Sequence, residues 1–146
     1  MSPLKIQKLG NYLFRKKIPI IPKLITLVIR LIWGCYLPSG ATIGNNVSLG
    51  YGGIGTVIHE RTVIGNNCRI SSNVTIGGTS KKYDVPKIGN SVYIGAGAVI
   101  LGPIQIQDNV VIGANSVVTE DIPSACLVVG APAKIKRRNI KIEKYI

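Results

Sequence analysis

From Ile43 onward an aliphatic side chain returns at every sixth residue, and this spacing constrains the fold more than any other feature of the chain. The positions are Ile43 and Leu49, then Ile58, Ile64, Ile70 and Ile76, then Ile88, Ile94, Ile100, Ile106, Ile112 and Val118. A helix repeats about every 3.6 residues and a free strand about every 2, so a period of six is neither. Glycine often follows the aliphatic residue, as at Gly44, Gly65, Gly89 and Gly113, and the fifth position of each six is mostly small or aliphatic, as at Cys68, Val74, Val92 and Ala98. Two inward side chains in six, with a bend between them, describe a strand that turns a corner at every repeat. Three flats close one triangular coil, and coils must stack because none can bury its own interior. Three ranks are therefore predicted: Ile43, Ile64, Ile88 and Ile106; Leu49, Ile70, Ile94 and Ile112; Ile58, Ile76, Ile100 and Val118. The expected class is mainly β, a parallel β-helix of about four triangular coils behind a short helical N-terminal segment.

The spacing breaks twice. Nine steps separate Leu49 from Ile58, so three surplus residues lie between Gly50 and Val57. Twelve separate Ile76 from Ile88, which we read as one flat replaced by the polar stretch Gly77–Lys87. Surplus residues in a solenoid leave as surface loops, and such loops commonly carry function. His59, the one histidine of the chain, stands at the exit of the first break.

The rest of the composition agrees with a single domain of 146 residues. One Phe and one Trp cannot build an aromatic core, so β-branched and small residues must do the packing. The net charge of +12 is confined to the ends. Residues 1–36 carry seven Lys or Arg and no acid, residues 37–133 are neutral, and residues 134–146 carry six basic groups against one acid. Nucleic-acid binding is not expected, because basic side chains are not interleaved with a reading surface. Three cysteines without CxxC spacing and one histidine exclude a metal site built from one subunit. Free thiols and the lack of a signal peptide point to the cytoplasm.

We divide the chain into a helical, basic and amphipathic segment (1–37), the repeat proper (38–124) and a closing segment with a basic tail (125–146). Within the first, Lys23, Thr26 and Arg30 form one narrow polar stripe on an otherwise apolar helix too short to span a bilayer. Two readings stay open: a cap on the first coil, or peripheral membrane contact through residues 18–37.

The stretches VTIGG (74–78), PKIGNSVYIGAGAVILG (86–102), VVIGANSVV (110–118) and VVGAPAKI (128–135), in this order, resemble the hexapeptide-repeat acyltransferases. The likeness is greatest to serine O-acetyltransferases and related enzymes of polysaccharide gene clusters. It implies a left-handed β-helix, a homotrimer, acetyl-CoA as acyl donor and active sites between adjacent subunits. It also implies that the donor lies along small residues at Gly78, Thr79, Ala96 and Ala114, closed by Pro132 and Lys134. Lys136, Arg137 and Arg138 are further candidates for the phosphates.

On the acceptor side the chain departs from the family pattern. Serine acetyltransferases have an Asp-His pair just after the position of Leu49 and another His before PKI; here Gly50-Tyr51 and Val85 stand in those places. Glu60 falls on the family's Glu, and His59 replaces the Gly before it. Acyl transfer to an alcohol needs removal of the hydroxyl proton, donors for the oxyanion, and alignment of two substrates. His59 is the only imidazole available as base. Tyr51 and Glu60 are the candidates for acceptor binding, and the amides of Gly52, Gly53 or Gly78 for the oxyanion. The function expected is therefore acetyl transfer to a hydroxyl of a sugar or glycan precursor. Serine O-acetyltransferase is the alternative, and a non-catalytic trimeric scaffold at a membrane surface is the second.

Overall fold

The computed structural model describes residues 2–146. Each coil contributes three short parallel strands. The first holds β1 (Thr42–Ile43), β2 (Ser48–Leu49) and β3 (Val57–Ile58), and the second β4 (Val63–Ile64), β5 (Arg69–Ile70) and β6 (Thr75–Gly77). The third holds β7 (Lys87–Ile88), β8 (Tyr93–Ile94) and β9 (Val99–Leu101), and the fourth β10 (Gln105–Ile106), β11 (Val111–Ile112) and β12 (Val117–Val118). Strands of equal rank stack into three faces: β1-β4-β7-β10, then β2-β5-β8-β11, then β3-β6-β9-β12. The register pairs Ile43 with Ile64, Ile64 with Ile88, Ile70 with Ile94 and Ile76 with Ile100, so the three predicted ranks are the three inner columns. Ile58, Ile70, Ile76, Ile94, Ile100 and Ile112 are wholly buried, each contributing about 1.5–3 kcal/mol relative to exposure.

A polar ladder holds the corner between the first and second faces. Asn66 Oδ1 accepts from the Asn45 amide at 2.7 Å, Asn90 Oδ1 from the Asn66 amide at 2.8 Å, and Asp108 Oδ1 from the Asn90 amide at 2.7 Å. Each coil's side chain thus satisfies a backbone donor of the coil before it, at a bend where the strand ladder cannot. The approach is so close that a Cβ at Gly65 would lie 2.6 Å from the Gly89 carbonyl oxygen.

The second break does not remove a flat. Ile76 belongs to the third face and Ile88 to the first, which are consecutive, so Gly78–Pro86 is an excursion of extra residues at their corner and every flat is present. A gap of twelve fits either reading by counting; pairing of β7 with β4 decides it. The first break is a short 3₁₀ turn, Gly50–Gly53, in which Tyr51 and Gly52 take left-handed backbone angles (φ 51° and 70°).

The ends differ from the middle. β13 (Cys126–Gly130) pairs in parallel with β11, carrying the second face one strand beyond residue 124. The chain then turns at Ala131-Pro132 and β14 (Ala133–Arg138) returns antiparallel along it. At the other end lie α1 (Pro3–Arg15) and α2 (Ile21–Trp33). The buried Gln7 amide of α1 donates to the carbonyls of Pro38 and Ala41 at 3.0 and 2.9 Å, closing the first coil. α2 buries only Pro22 and Ile29, and ends on Gly34 in the left-handed region. Among the described residues, no helix is long and apolar enough to cross a membrane.

Candidate active site

His59 follows Ile58 at the corner between the third and first faces. Its backbone is fixed on both sides: its N–H donates to the Ile76 carbonyl at 2.8 Å, and its carbonyl accepts from Thr62 at 3.0 Å. The half-buried ring borders an open groove of about 380 Å³ lined by Tyr36, Val57, Glu60, Thr75 and Gly77. Its Nδ1 accepts a hydrogen bond from the Arg61 amide at 3.2 Å. A neutral imidazole with an N–H aimed at Nδ1 carries its own proton on Nε2. In this arrangement His59 is therefore a hydrogen-bond donor at Nε2. Proton removal by the same nitrogen requires the Arg61 contact to open.

Arg61 was not anticipated from sequence. Its guanidinium stacks 4.1 Å from the centre of the Tyr83 ring and donates to the Tyr83 carbonyl, pinning the Gly78–Pro86 excursion beside His59. The polar stretch was visible as a loop, but nothing in the letters ties Arg61 to a residue 22 positions on. Tyr36 was missed as well. It forms an isolated bridge to Val57 that extends the third face by one layer below β3, and it lines the groove.

The expected site residues fall into two groups. Gly78 joins His59: a Cβ built on Gly78 would come 3.9 Å from the imidazole and 3.3 Å from Val85, which fills the place of the family's second histidine. Thr79 lies on the same corner, against Gly102. Glu60 is exposed there and also lines the hollow under α2 with Lys23 and Arg30. Tyr51, 90% exposed, stands instead at the corner between the second and third faces. Ala96 and Ala114 are exposed on that same corner in later coils, where Gly95 packs on the Ala114 amide. Pro132 lies at the tip of the β13–β14 turn beyond it, and Gly113 packs against Val129 below that tip. Lys134 reaches Glu120 at 3.8 Å, an exposed ion pair worth little. The whole third face separates the two groups within one chain.

The family model described as bacterial transferase hexapeptide (six repeats) matches residues 86–120. The serine acetyltransferase of Synechococcus elongatus is 40% identical over 138 residues, covering 93% of this chain and 56% of the relative. The chain belongs to the hexapeptide-repeat transferases.

Among solved structures, the serine acetyltransferase of Neisseria gonorrhoeae superposes with a TM-score of 0.90 at 35% identity, covering 95% of this chain and 55% of that one. The serine acetyltransferase of Brucella abortus, solved in complex with coenzyme A, gives 0.89 at 31% identity over 92% of this chain and 54% of that one. The chain thus spans about half the length of these relatives. The likeness overturns the expectation of a sugar or glycan acceptor. That expectation rested on two corner positions, Tyr51 and Val85, whereas the match to serine acetyltransferases runs through nearly the whole chain.

Proposed function

We propose that this hexapeptide-repeat transferase moves an acetyl group from acetyl-CoA to the hydroxyl of serine, at sites formed between copies in a homotrimer. The observation that carries the reading is the division of the site between two edges of one face. His59, Gly78 and Thr79 occupy one edge of the third face, and Tyr51, Ala96 and Ala114 the other. In a closed ring of three copies with that face turned to the axis, opposite edges of neighbouring copies meet. The outward column of the third face, Val57, Thr75, Val99 and Val117, has no charge, whereas Lys87 points out from the first face and Arg69 from the second. The uncharged face is the one suited to burial.

The exposed small residues Ala96 and Ala114 leave backbone open to a pantetheine chain, which supports coenzyme binding along that edge. Lys134, with Lys136, Arg137 and Arg138 on the exposed β14, offers cations to its phosphates. In the reaction the serine oxygen bonds to the thioester carbonyl carbon, the carbon–sulfur bond breaks, and the hydroxyl proton ends on the coenzyme sulfur. His59 presents Nε2–H to the carbonyl oxygen as negative charge develops there. Tyr51 and Glu60 are the remaining groups placed to hold the acceptor, Tyr51 from the neighbouring copy. Three free, buried cysteines accord with action in the cytoplasm.

The test is release of free thiol from acetyl-CoA in the presence and absence of serine, after acetyl-CoA has been seen to raise the melting temperature. Serine-dependent release supports the reading; coenzyme binding without it refutes the acceptor.

A further inference from the structure

Away from the catalytic corner, the outer surface of α2 is apolar and exposed. Placed on a wheel of 3.6 residues per turn, its side chains fall into three arcs. Pro22 and Ile29 are buried, with Thr26 beside them donating to the Pro22 carbonyl and contacting Ser39. Lys23 and Arg30 come next, at the rim of the hollow against the first coil. The remaining arc, spanning roughly 120°, is apolar and open: Ile20 66%, Leu24 53%, Leu31 75% and Ile32 65% exposed, with Ile21 and Val28 between them, while Leu27 lies between this arc and Lys23 and lines the hollow. None of the six residues of the arc lines a groove against the coils, so the arc faces away from the β-helix. Monomeric surfaces rarely expose so continuous an apolar patch without a partner.

Charge decides the partner's chemistry. Lys5, Lys8, Arg15, Lys16, Lys17, Lys23 and Arg30 surround this end of the molecule, and no acid occurs before residue 37. Two such ends brought together would repel, because Glu60, which lines the hollow beside Lys23 and Arg30, offsets one charge against the seven cations of each. A flat, anionic, apolar-cored surface meets both features at once. We infer that α2 docks this end of the protein on an anionic lipid bilayer, burying Leu24, Leu31 and Ile32 among the acyl chains while Lys16, Lys17, Lys23 and Arg30 face the headgroups. At 13 residues the helix lies in the interface and does not span it.

Vesicle co-sedimentation of the full chain tests this. With phosphatidylglycerol vesicles at low salt the protein pellets; with phosphatidylcholine alone, or at high salt, binding falls about tenfold or more. The double variant Leu24→Glu, Leu31→Glu alters only exposed positions, so it keeps the β-sheet circular dichroism and loses vesicle binding. Sedimentation velocity without lipid supplies the counter-outcome. If the parent protein does not pellet with anionic vesicles the inference is overturned, and if the double variant halves the parent's mass in solution the arc is a contact between copies and the inference is overturned likewise. Neither readout depends on acetyl transfer, so failure here leaves the proposed reaction untouched, and the reverse holds as well.

Discussion

At the scale of single residues, the contact between the Arg61 amide and His59 Nδ1 makes two roles for the imidazole separable. A glutamine side chain also offers an N–H near the position of Nε2 but cannot take a proton. If His59 acts as a donor, His59→Gln retains a measurable part of the acetyl transfer that His59→Ala loses, the alanine variant falling about 10²- to 10³-fold in kcat. If the ring must accept the proton, both variants fall together, and initial rates with serine distinguish the cases. The buried thiols make a second prediction at this scale. Burial pushes the Cys35 and Cys68 thiols above their ordinary value of 9.0. The folded chain therefore holds these protons more tightly than the unfolded one, so their share of stability is intact below 9.0 and is lost as pH rises past it. Urea midpoints should decline on that alkaline side, and a thiol reagent at neutral pH should leave both groups unmodified until denaturant is added.

Among the elements, the corner ladder gives the clearest test of what holds coil to coil. Asn90→Ala removes the acceptor for the Asn66 amide and should cost about 1 kcal/mol, read as a lower urea midpoint at unchanged slope. Gly65→Ala should cost more, because its Cβ meets the carbonyl of the next coil and neither backbone can retreat without unpairing a strand. The strands of the four coils were legible: a period of six is a direct statement of which side chains point inward, and Ile43, Ile64 and Ile88 form the predicted rank, although counting across the two breaks did not fix where the surplus residues leave the coil. The ladder was half-visible in the repeated Ile-Gly-Asn-Asn, whose recurrence was plain but whose amide partner was not. The Arg61–Tyr83 contact was invisible, since a loop's composition reveals its exposure and not its landing place. For α2 the stripe of Lys23, Thr26 and Arg30 was readable, yet with apolar residues on both sides of it the sequence could not say which side met the coil.

For the molecule as a whole, assembly and activity are one prediction. Val99→Glu with Val117→Glu places charge on the outward column of the third face without touching the inner ranks. It should give a folded monomer by sedimentation and circular dichroism, with acetyl transfer abolished if, as proposed, His59 and Tyr51 meet across a boundary between copies. Retained activity in a true monomer would refute the shared site. The two ends of the stack raise a different matter. Any column of parallel strands ends in a row of unpaired amides and carbonyls, an invitation to grow indefinitely by adding the next prism. Here β14 runs the opposite way to every strand beneath it and presents Lys134, Lys136, Arg137 and Arg138 along the free edge. That reversal acts as a terminator. Cutting the chain after Gly130 should leave β13 exposed as a template, and the trimmed protein would be expected to string into fibres that bind amyloid dyes.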